Sequence, residues 1–313
     1  MTQQTKFGLR VPDFPHFEQS GAAFWQEVEN FLTALQGKFD SAWVADHFVP
    51  WHAETDPMRP VFEAWTELAY LAGRLPAYTF GNLVLAQSYR PPALLAKMAA
   101  SLQVMSGGRL VLGIGAGWKE DEYLAYGYEF PEAATRIRQL AEAAQIIRLM
   151  WRESRATFQG KYYHIQDAIC EPKPDPLPPI MIGGAGRKLT LRVVAQYADW
   201  CNFVGCTAAE YAELLEVLRR HCQAVGRDFD SIVKTYSTDC VAVAPTKAEA
   251  ERIAAASPLY SPFSAIVGTP DEAAEQLRKF VNLGVSHFIL RFADFPRLDG
   301  AELFHEQAAP LLR

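Results

Sequence analysis

The stretch 43–51, WVADHFVPW, places a carboxylate, an imidazole and a second indole directly after a short apolar run. Imidazole titrates near neutral pH, so His47 is a candidate general acid or base, and Asp46 could orient it or bind a polar edge of a ligand. An isolated Asp-His pair is more often a capped turn with a solvent-facing histidine. The pair becomes a candidate catalytic site if the apolar run is a barrel strand, because chemistry in such barrels lies where the strands end.

A second candidate feature is the glycine-rich segment GIGAGWKEDEYLAYG, 113–127. Glycines at alternate positions lack a Cβ and let a ligand ring or phosphate approach the backbone, so Gly117 is a candidate cofactor contact. The spacing alone is weak, since it could serve only the closure of a barrel. Of the acidic residues that follow, Glu120 is interpreted as part of a solvated helix start, which the helix dipole favours.

A predicted strand ends in the segment GGAGRKLT, 183–190, which also opens a predicted helix. Successive backbone N–H groups at such a glycine-rich turn form an anion-binding nest, and Arg187 adds positive charge. A tight turn without a ligand would need fewer glycines. The sequence therefore predicts a phosphate site formed by Gly183, Gly184, Ala185 and Gly186.

Two other kinds of chemistry have weaker support. His52 and Glu54 follow Asp46 and His47 closely, so a barrel metallohydrolase that binds a divalent ion through Asp46, His47 and His52 is an alternative. Barrel metallohydrolases place a His-x-His pair on the first strand, and FGLRV, 7–11, has none. No Gly-x-Ser-x-Gly segment supports a serine hydrolase. We therefore expect no metal site.

Length and composition exclude several classes of protein. The chain has 313 residues and a formal net charge of -6, and its Lys and Arg residues are scattered, so nucleic acid is not an expected partner. No window reaches the roughly 18 to 20 uncharged apolar residues of a membrane span, and the N-terminus has no secretory pattern. Five cysteines without a Cys-x-x-Cys pair indicate neither a disulfide framework nor a zinc knuckle. We expect a cytoplasmic protein without a membrane partner.

Short β-type runs alternate with amphipathic helical patterns along the whole chain. Strands are predicted over 6–11, 41–47, 78–85, 109–115, 179–186, 199–205, 231–244 and 286–292. Among the helices between them, three begin with a Thr-x-x-Glu capping box, at Thr207, Thr246 and Thr269. Parallel strands need crossover connections of helical length, so this alternation favours parallel β/α units.

The number of strands predicts an α/β fold of the (β/α)8 TIM barrel class, with a single domain over 1–313 and insertions in the loops that follow strands. An open doubly wound sheet is the main rival, but no GxGxxG follows the first strand. The stretch 152–179, which is rich in proline, breaks the alternation. It is predicted to be an insertion.

The chain resembles the luciferase-like monooxygenase superfamily, and more narrowly its coenzyme F420-dependent oxidoreductases. The resemblance covers nearly the whole chain. It rests on WVADHFVPW (43–51), GNLV (81–84), RPPALLAKMAASLQVMSGGRLVLGIGAGWKEDEYLAYG (90–127), PIMIGG (179–184) and GTPDEAAEQLRKFVNLGVSHFIL (268–290). The block 90–127 is highly specific, whereas single glycines within it are not.

This resemblance implies a (β/α)8 barrel that holds a flavin or deazaflavin in its mouth. It implies that Asp46 and His47 lie beside the tricyclic ring and that Trp51 walls the substrate pocket. It also implies a non-prolyl cis peptide at Leu83-Val84 that supports the back of the ring. A homodimer is favoured on the same ground.

One departure from the resembled enzymes bears on the substrate. The glucose-6-phosphate dehydrogenases of this family carry a glutamate directly after the third glycine, where this chain has Trp118. A sugar-phosphate oxidation that needs that acid is therefore not expected. The nearest carboxylates downstream, Asp121 and Glu122, are expected to contact the cofactor tail or phosphate instead.

The leading hypothesis is an oxidoreductase that transfers a hydride between C5 of F420 and a small organic substrate, with His47 moving the accompanying proton. The alternative is an FMN-dependent monooxygenase that uses O2 and reduced flavin from a separate reductase. The Asp-His-x3-Trp spacing favours the deazaflavin. A non-catalytic cofactor-binding relative is disfavoured because the turn 183–186 is present. Nothing in the loops 51–60, 156–179 and 255–266 identifies the substrate.

Overall fold

The structure is a computed structural model and describes residues 4–52 and 55–313. Within these residues the strands are β1 (Lys6–Arg10), β2 (Ser41–Val44), β3 (Thr79–Asn82), β4 (Leu85–Ala86), β5 (Leu110–Gly115), β6 (Ala156–Gln159), β7 (His164–Ala168), β8 (Ile180–Gly183), β9 (Trp200–Val204), β10 (Val233–Val243), β11 (Ile266–Gly268) and β12 (Val285–Phe292). The helices are α1 (Gly21–Ala34), α2 (Ala64–Arg74), α3 (Pro92–Met105), α4 (Glu120–Ala125), α5 (Ala133–Arg152), α6 (Thr190–Tyr197), α7 (Ala208–Val225), α8 (Lys247–Ala256), α9 (Pro270–Val281) and α10 (Asp299–Leu303).

Eight parallel strands form one closed barrel, in the order β1, β2, β3, β5, β8, β9, β10 and β12. Closure is made by β12, whose Phe288 lies opposite Phe7 of β1, and by β10, which pairs with both β9 and β12. The prediction of a (β/α)8 barrel is confirmed. The open doubly wound alternative is wrong, because pairing of β1 with β12 leaves the barrel sheet without the two free edges that an open sheet has.

The interior of the barrel is filled by side chains from alternate strand positions, as expected for a barrel of this size. Trp43, Val111, Met181 and Ile289 form its buried apolar cluster. Glycine makes room for the largest of them, since a Cβ on Gly81 would lie 2.3 Å from the Trp43 ring. The outward faces of the strands pack against the helices in a second, larger apolar core.

Local sequence signals set the ends of the helices. The side chains of Thr207 and Thr269 each accept a hydrogen bond from the backbone N–H three residues on. The carboxylates of Glu210 and Glu272 accept hydrogen bonds from the backbone N–H groups of these threonines, which completes the two predicted capping boxes. At Thr246 the hydroxyl accepts from the N–H of Glu249. Helix α7 ends at Gly226, whose φ of +69° is a left-handed conformation that glycine adopts without strain.

The segment predicted to be an insertion, 152–179, contains the antiparallel hairpin β6–β7. Glu142 of α5 accepts hydrogen bonds from the backbone N–H groups of Lys161, Tyr162 and Tyr163 at the hairpin turn. The hydroxyl of Tyr163 donates to Gln87 Oε1 at 2.9 Å. The hairpin is thereby attached to α5 and to the segment that follows β4.

The second and third strands of the barrel end earlier than predicted. Strand β2 ends at Val44 rather than at residue 47, so Asp46 and His47 lie in the coil that follows it. The third predicted strand stops at Asn82 and continues as β4 only at Leu85. The backbone therefore leaves the regular ladder at the points where the candidate site residues occur.

Two predicted helices also differ in their bounds. Helix α6 begins at Thr190, so the glycine turn 183–186 lies some residues before the helix rather than at its first turn. The predicted final helix, 300–312, is the short helix α10 followed by a π-helical turn and a 3-10 turn. Pro310 lies in that last turn, and a proline lacks the N–H that would continue an α-helix.

Candidate active site

A cavity of about 440 Å³ opens at the carboxyl ends of the barrel strands. This volume lies within the range of roughly 300–1,000 Å³ that is typical of small-molecule and cofactor sites. Most of the residues predicted from the sequence line it, namely Asp46, His47, Trp51, Leu83, Val84, Gly117, Glu122, Gly183 and Gly184. Asp121, Ala185 and Gly186 do not belong to its wall.

Asp46 is buried and engaged by protein groups. Its carboxylate accepts two hydrogen bonds from the Arg90 guanidinium, at 3.0 and 3.1 Å, and one from the N–H of Ala86 at 2.9 Å. Arg90 also pairs with Glu63 at the start of α2. A bidentate arginine holds a carboxylate in one orientation. Asp46 therefore connects the end of β2 to β4, and it borders the cavity in an orientation that is already set.

His47 lies in the wall of the cavity, and its side chain is 13% exposed. Its Nδ1 is 2.8 Å from Oε2 of Glu122, which lies 75 residues further along the chain. The imidazole stands between two indoles, with ring centroids 6.3 Å from Trp51 and 5.8 Å from Trp118. One nitrogen of the ring is thus bound to protein, and Nε2 has no hydrogen-bond partner within residues 4–52 and 55–313.

Trp51 is held in place from the side of β1. Its indole N–H donates to the carboxylate of Asp13, and its ring packs edge-on against Phe14 at 6.0 Å between centroids. The guanidinium of Arg10 lies 5.4 Å from the Trp51 ring centroid, which is a cation–π distance. Trp118, by contrast, is 62% exposed at the mouth. Trp51 is a fixed wall of the cavity, whereas Trp118 is a rim residue.

The cavity wall opposite His47 and Trp51 consists of backbone and aliphatic side chains. The peptide bond between Leu83 and Val84 is cis, as the family resemblance implies. A Cβ on Gly115 would lie 2.7 Å from the Val84 side chain, and a Cβ on Gly183 would lie 3.0 Å from it. Glycine at these positions leaves the Val84 side chain packed against bare backbone. The result is a smooth apolar surface on this side of the cavity.

The glycine turn 183–186 meets the cavity only at its beginning. Gly184 has a φ of +118°, a conformation that an L side chain rarely adopts, while Ala185 and Gly186 are exposed beyond the cavity wall. Arg187 is paired with Glu213 of α7 at 2.6 Å. The positive charge expected at the turn is therefore already matched by a carboxylate, and the phosphate site remains a prediction.

The two acidic residues expected to contact the cofactor tail are placed differently from each other. Asp121 is exposed and pairs with Lys119. Glu122 is buried and binds His47 together with the N–H groups of Phe48 and Val49, at 2.7 and 3.1 Å. Glu122 is therefore part of the His47 environment, and Asp121 lies outside the cavity.

Sequence reasoning missed a group of four charged residues beside Trp51, three of them buried and the fourth, Asp239, partly buried. Arg10 pairs with both Asp13 and Asp239, and Arg291 donates to Asp13 at 3.2 Å. Burial alone raises the pKa of Asp13, but the two arginines and the Trp51 N–H outweigh it and hold that pKa below its usual value. Arg10 and Asp239 line the cavity, so this group supplies its polar wall.

Only one of these residues carried a usable signal in the sequence. Arg10 is the last residue of β1, and the rule that barrel chemistry lies at strand ends points to it. Asp239 falls inside the predicted strand 231–244. It faces the cavity where β10 shifts register against β12 between Thr238 and Val241, and bulges of this kind re-aim a side chain. No pattern of apolar residues indicates such a bulge in advance.

Two cations at the mouth were also missed. Lys119 lies two residues after Gly117, and Arg136 lies in the first turns of α5; both line the cavity. The Arg136 guanidinium stacks over the Phe130 ring at 3.7 Å, and its Nε is buried without a hydrogen-bond partner among the described residues. An anionic group could reach these cations from the cavity.

The metallohydrolase alternative gains no support from the geometry. Within residues 4–52 and 55–313, no group of three or more His, Cys, Asp or Glu side chains is arranged to hold a metal ion. Asp46 is engaged by Arg90, and His47 by Glu122. Glu54 lies outside the described residues. The expectation of no metal therefore stays a prediction.

Residues 6–264 match the model of a family described as luciferase-like monooxygenase. The chain belongs to the luciferase-like monooxygenase family. Among the relatives of this luciferase-like chain, an F420-dependent glucose-6-phosphate dehydrogenase of Microbacterium testaceum is 30% identical, and the match covers 100% of this chain and 99% of that protein. The family resemblance inferred from the motifs is confirmed.

Solved structures of luciferase-like folds superpose on nearly the whole chain. An F420-dependent secondary alcohol dehydrogenase in complex with an F420-acetone adduct has a TM-score of 0.82 at 20% identity, covering 99% of each chain. The EDTA monooxygenase of Chelativorans has a TM-score of 0.81 at 17% identity, covering 99% of this chain and 93% of that one. At 20% and 17% identity, the structural similarity supports the barrel fold of this luciferase-like protein and nothing beyond the fold. Among its described helices, none combines the length and apolar character that crossing a bilayer requires.

Proposed function

We propose that this protein is an F420-dependent oxidoreductase that transfers a hydride between the deazaflavin coenzyme and a small organic substrate. The observation that carries the proposal is the position of His47, which stands in the cavity wall with Nδ1 bound to Glu122 and Nε2 without a protein partner among the described residues. The relative in Microbacterium testaceum, which matches over nearly the whole length of both proteins, is named for the same coenzyme. F420-dependent oxidoreductase chemistry is therefore the function that sequence, relatives and site support together.

The residues of the cavity fit a deazaflavin. Leu83, Val84 and Gly183 form an apolar surface without a protruding Cβ at the glycine, which suits a flat ring. At the mouth, the Arg136 guanidinium supplies positive charge for the anionic part of such a coenzyme, and Lys119, which is paired with the exposed Asp121, also lines the cavity. We propose that these residues hold the ring and the tail, respectively, with Gly183 and Gly184 contributing the backbone of the turn.

When bound, F420 supplies the carbon that accepts or donates the hydride. The protein then has to move one proton, to or from the substrate oxygen, and to keep water away. We propose His47 for the proton, because its Nδ1 is bound to Glu122 and its Nε2 has no protein partner among the described residues. Trp51, held by Asp13, forms a fixed apolar wall beside the imidazole. Trp118 covers the same imidazole from the rim.

The substrate proposal departs from the name of the relatives. We propose an uncharged alcohol or carbonyl compound rather than a sugar phosphate. Trp118 stands where the resembled glucose-6-phosphate dehydrogenases carry a glutamate. The polar wall opposite the apolar surface is also electrically balanced, since Arg10 is already paired with Asp239 and Asp13. A phosphate dianion at this wall would meet no unpaired arginine among its described residues.

The remaining features are proposed on the resemblance alone. They are a homodimer and, for the alternative FMN-dependent monooxygenase, a separate reductase that delivers reduced flavin. A cytoplasmic location is proposed on the sequence, which has neither a membrane-span pattern nor a secretory pattern. The monooxygenase alternative has support in the likeness to the Chelativorans enzyme, which is a likeness of fold.

Titration of the purified protein with F420 and, separately, with FMN tests the proposal. We expect saturable quenching of tryptophan fluorescence by F420 with a dissociation constant at least tenfold lower than that for FMN. Loading with F420 should then permit its reduction by a neutral secondary alcohol and not by glucose 6-phosphate. Tight binding of FMN without binding of F420 would establish the monooxygenase alternative instead.

A further inference from the structure

Glu122 is buried between His47 and the backbone that follows it. Its carboxylate is fully buried, although it belongs to the acidic start of helix α4. Oε1 accepts hydrogen bonds from the N–H groups of Phe48 and Val49, at 2.7 and 3.1 Å. Oε2 lies 2.8 Å from His47 Nδ1 and 3.5 Å from the hydroxyl of Tyr89. Each oxygen therefore has its own set of partners.

These partners keep Glu122 ionised. Burial alone raises the pKa of this carboxyl, but the hydrogen bond from His47 and those from Val49 and Phe48 outweigh burial and hold the pKa below its usual value. An ionised carboxylate is an acceptor only. The ring nitrogen that faces it must therefore carry the proton, which places the hydrogen of neutral His47 on Nδ1.

We propose that Glu122 is the positioning residue for His47: it fixes the imidazole as the Nδ1–H tautomer and so leaves the Nε2 lone pair to exchange the substrate proton. This inference rests on the proposed function for its catalytic meaning. When an alcohol is oxidised, its O–H proton passes to Nε2 while the C–H electron pair leaves as the hydride that the coenzyme accepts. Reduction of a carbonyl runs the same transfers in reverse, with Nε2–H as the donor.

Other charged groups around His47 are matched by partners of their own. Asp46 is held by Arg90, and Asp13 is held by Arg10 and Arg291. The remaining charged residues of the cavity wall are Lys119, which pairs with Asp121, Asp239, which pairs with Arg10, and Arg136, which lies over Phe130. Among the described residues, Glu122 is the carboxylate in direct contact with the imidazole.

The arrangement differs from the one that the sequence suggested, in which Glu122 contacts the cofactor tail. Its acceptor positions are occupied by two backbone N–H groups and by His47. A negative carboxylate is also a poor partner for a phosphate or for a further carboxylate, because like charges repel. Glu122 therefore acts on the reaction through His47.

The substitution Glu122→Gln distinguishes the positioning of His47 from contact with the cofactor tail, because the amide of Gln has only one acceptor oxygen. The Gln oxygen has to take the Oε1 position, since an NH2 there would leave the N–H groups of Phe48 and Val49 buried without an acceptor, at a cost of about 1–3 kcal/mol each. The NH2 group then faces Nδ1 of His47 and donates to it. Neutral His47 is thereby forced into the Nε2–H tautomer, with no lone pair towards the substrate.

The first measurement is the tautomer of His47, read from long-range 1H–15N correlations of the histidine rings in the protein without coenzyme. A His47→Gln sample identifies the resonances of His47 among the seven histidines. We expect Nδ1–H in the wild type and Nε2–H in Glu122→Gln. Glu120→Gln is the matched control, because it removes the same charge from the same turn of α4 at an exposed position. It should leave the tautomer of His47 as in the wild type.

The second measurement uses the F420-loaded enzyme with a neutral secondary alcohol. In Glu122→Gln we expect kcat to fall by about 10²–10⁴-fold, the loss associated with a wrongly protonated catalytic histidine. KM and the dissociation constant of F420 should stay within about twofold.

An unchanged tautomer in Glu122→Gln overturns the proposal, and so does a tautomer change of equal size in Glu120→Gln. A loss of F420 affinity above tenfold with an unchanged tautomer returns Glu122 to the cofactor-contact role. The tautomer measurement needs no coenzyme. A wild type that fails to bind F420 would therefore count against the proposed function, while the tautomer result would still decide the role of Glu122.

Discussion

At the residue scale, two histidines of this barrel show how surroundings decide what an imidazole can do. His47 has one nitrogen on Glu122 and the other towards the cavity. His287 lies in the barrel interior, 4% exposed, with Nε2 on the hydroxyl of Ser41 at 2.8 Å. Only the first of them borders a space that a substrate can enter, so the two residues have different expected roles.

We predict that His47→Ala lowers kcat of the F420-loaded enzyme by about 10²–10⁴-fold, the usual contribution of a positioned acid–base group. The dissociation constant of F420 should change by no more than a few fold, because Glu122 and Asp46 retain their backbone contacts. Steady-state rates with a neutral alcohol and a fluorescence titration measure the two effects. Exposed His164→Ala serves as the control. Full turnover by His47→Ala would remove the proton-transfer role.

At the scale of elements, the close approach of β3 and β5 is permitted by glycine. A Cβ on Gly113 of β5 would lie 1.8 Å from the backbone oxygen of Asn82 in β3. Backbone cannot yield as a flexible side chain does, so any larger residue has to force the two strands apart. The interrupted third strand and the glycine-rich fourth strand of the barrel are thus fitted to each other at the edge of the cavity.

We predict opposite effects for two glycine-to-alanine substitutions, measured by thermal and urea unfolding. Gly113→Ala should lower the free energy of unfolding by about 3 kcal/mol or more, as expected for strong overpacking. Gly73→Ala, in helix α2, has no heavy atom within 4 Å of the added Cβ. It should raise the free energy of unfolding by about 0.5–1 kcal/mol through helix propensity. A Gly113→Ala protein as stable as the wild type would contradict the close approach of the two strands.

At the scale of the whole molecule, the filled interior makes stability depend on pH. Burial lowers the pKa of His287 from 6.5 to about 3, with a further small effect from Lys6. Between these two values the unfolded chain binds a proton at His287 that the folded chain does not bind. Stability therefore falls as the pH is lowered from about 6.5 towards about 3, and this contribution is absent above that range.

We predict that His287 accounts for a loss of about 2 kcal/mol of unfolding free energy between roughly pH 7.5 and pH 5, since one pKa unit corresponds to about 1.4 kcal/mol. The variant His287→Gln, whose amide can still bond Ser41, should lose correspondingly less over the same interval. Urea unfolding at the two pH values measures the difference. Exposed His164→Gln should keep the wild-type pH dependence. Equal pH dependence in wild type and His287→Gln would contradict the buried neutral state.

Much of the fold and part of the site could be predicted from the amino-acid sequence. The alternation of strands and helices, the capping boxes at Thr207 and Thr269, and the placement of Asp46 and His47 near the carboxyl end of the second strand are local properties. They depend on side-chain period and on residues within a few positions of each other, which the linear order contains. The barrel follows from them because parallel strands joined by helices have few ways to close.

Only the tertiary structure decided which polar groups meet. Glu122 reaches His47 across 75 positions, and Arg10 reaches Asp239 across 229. Such contacts depend on how the barrel closes and on a bulge in β10. Neither feature produces a periodic pattern of apolar residues in the sequence. Sequence alone therefore assigned Glu122 to a cofactor tail by its place beside Asp121. The fold places Glu122 on the imidazole, since two backbone N–H groups and a ring nitrogen converge there.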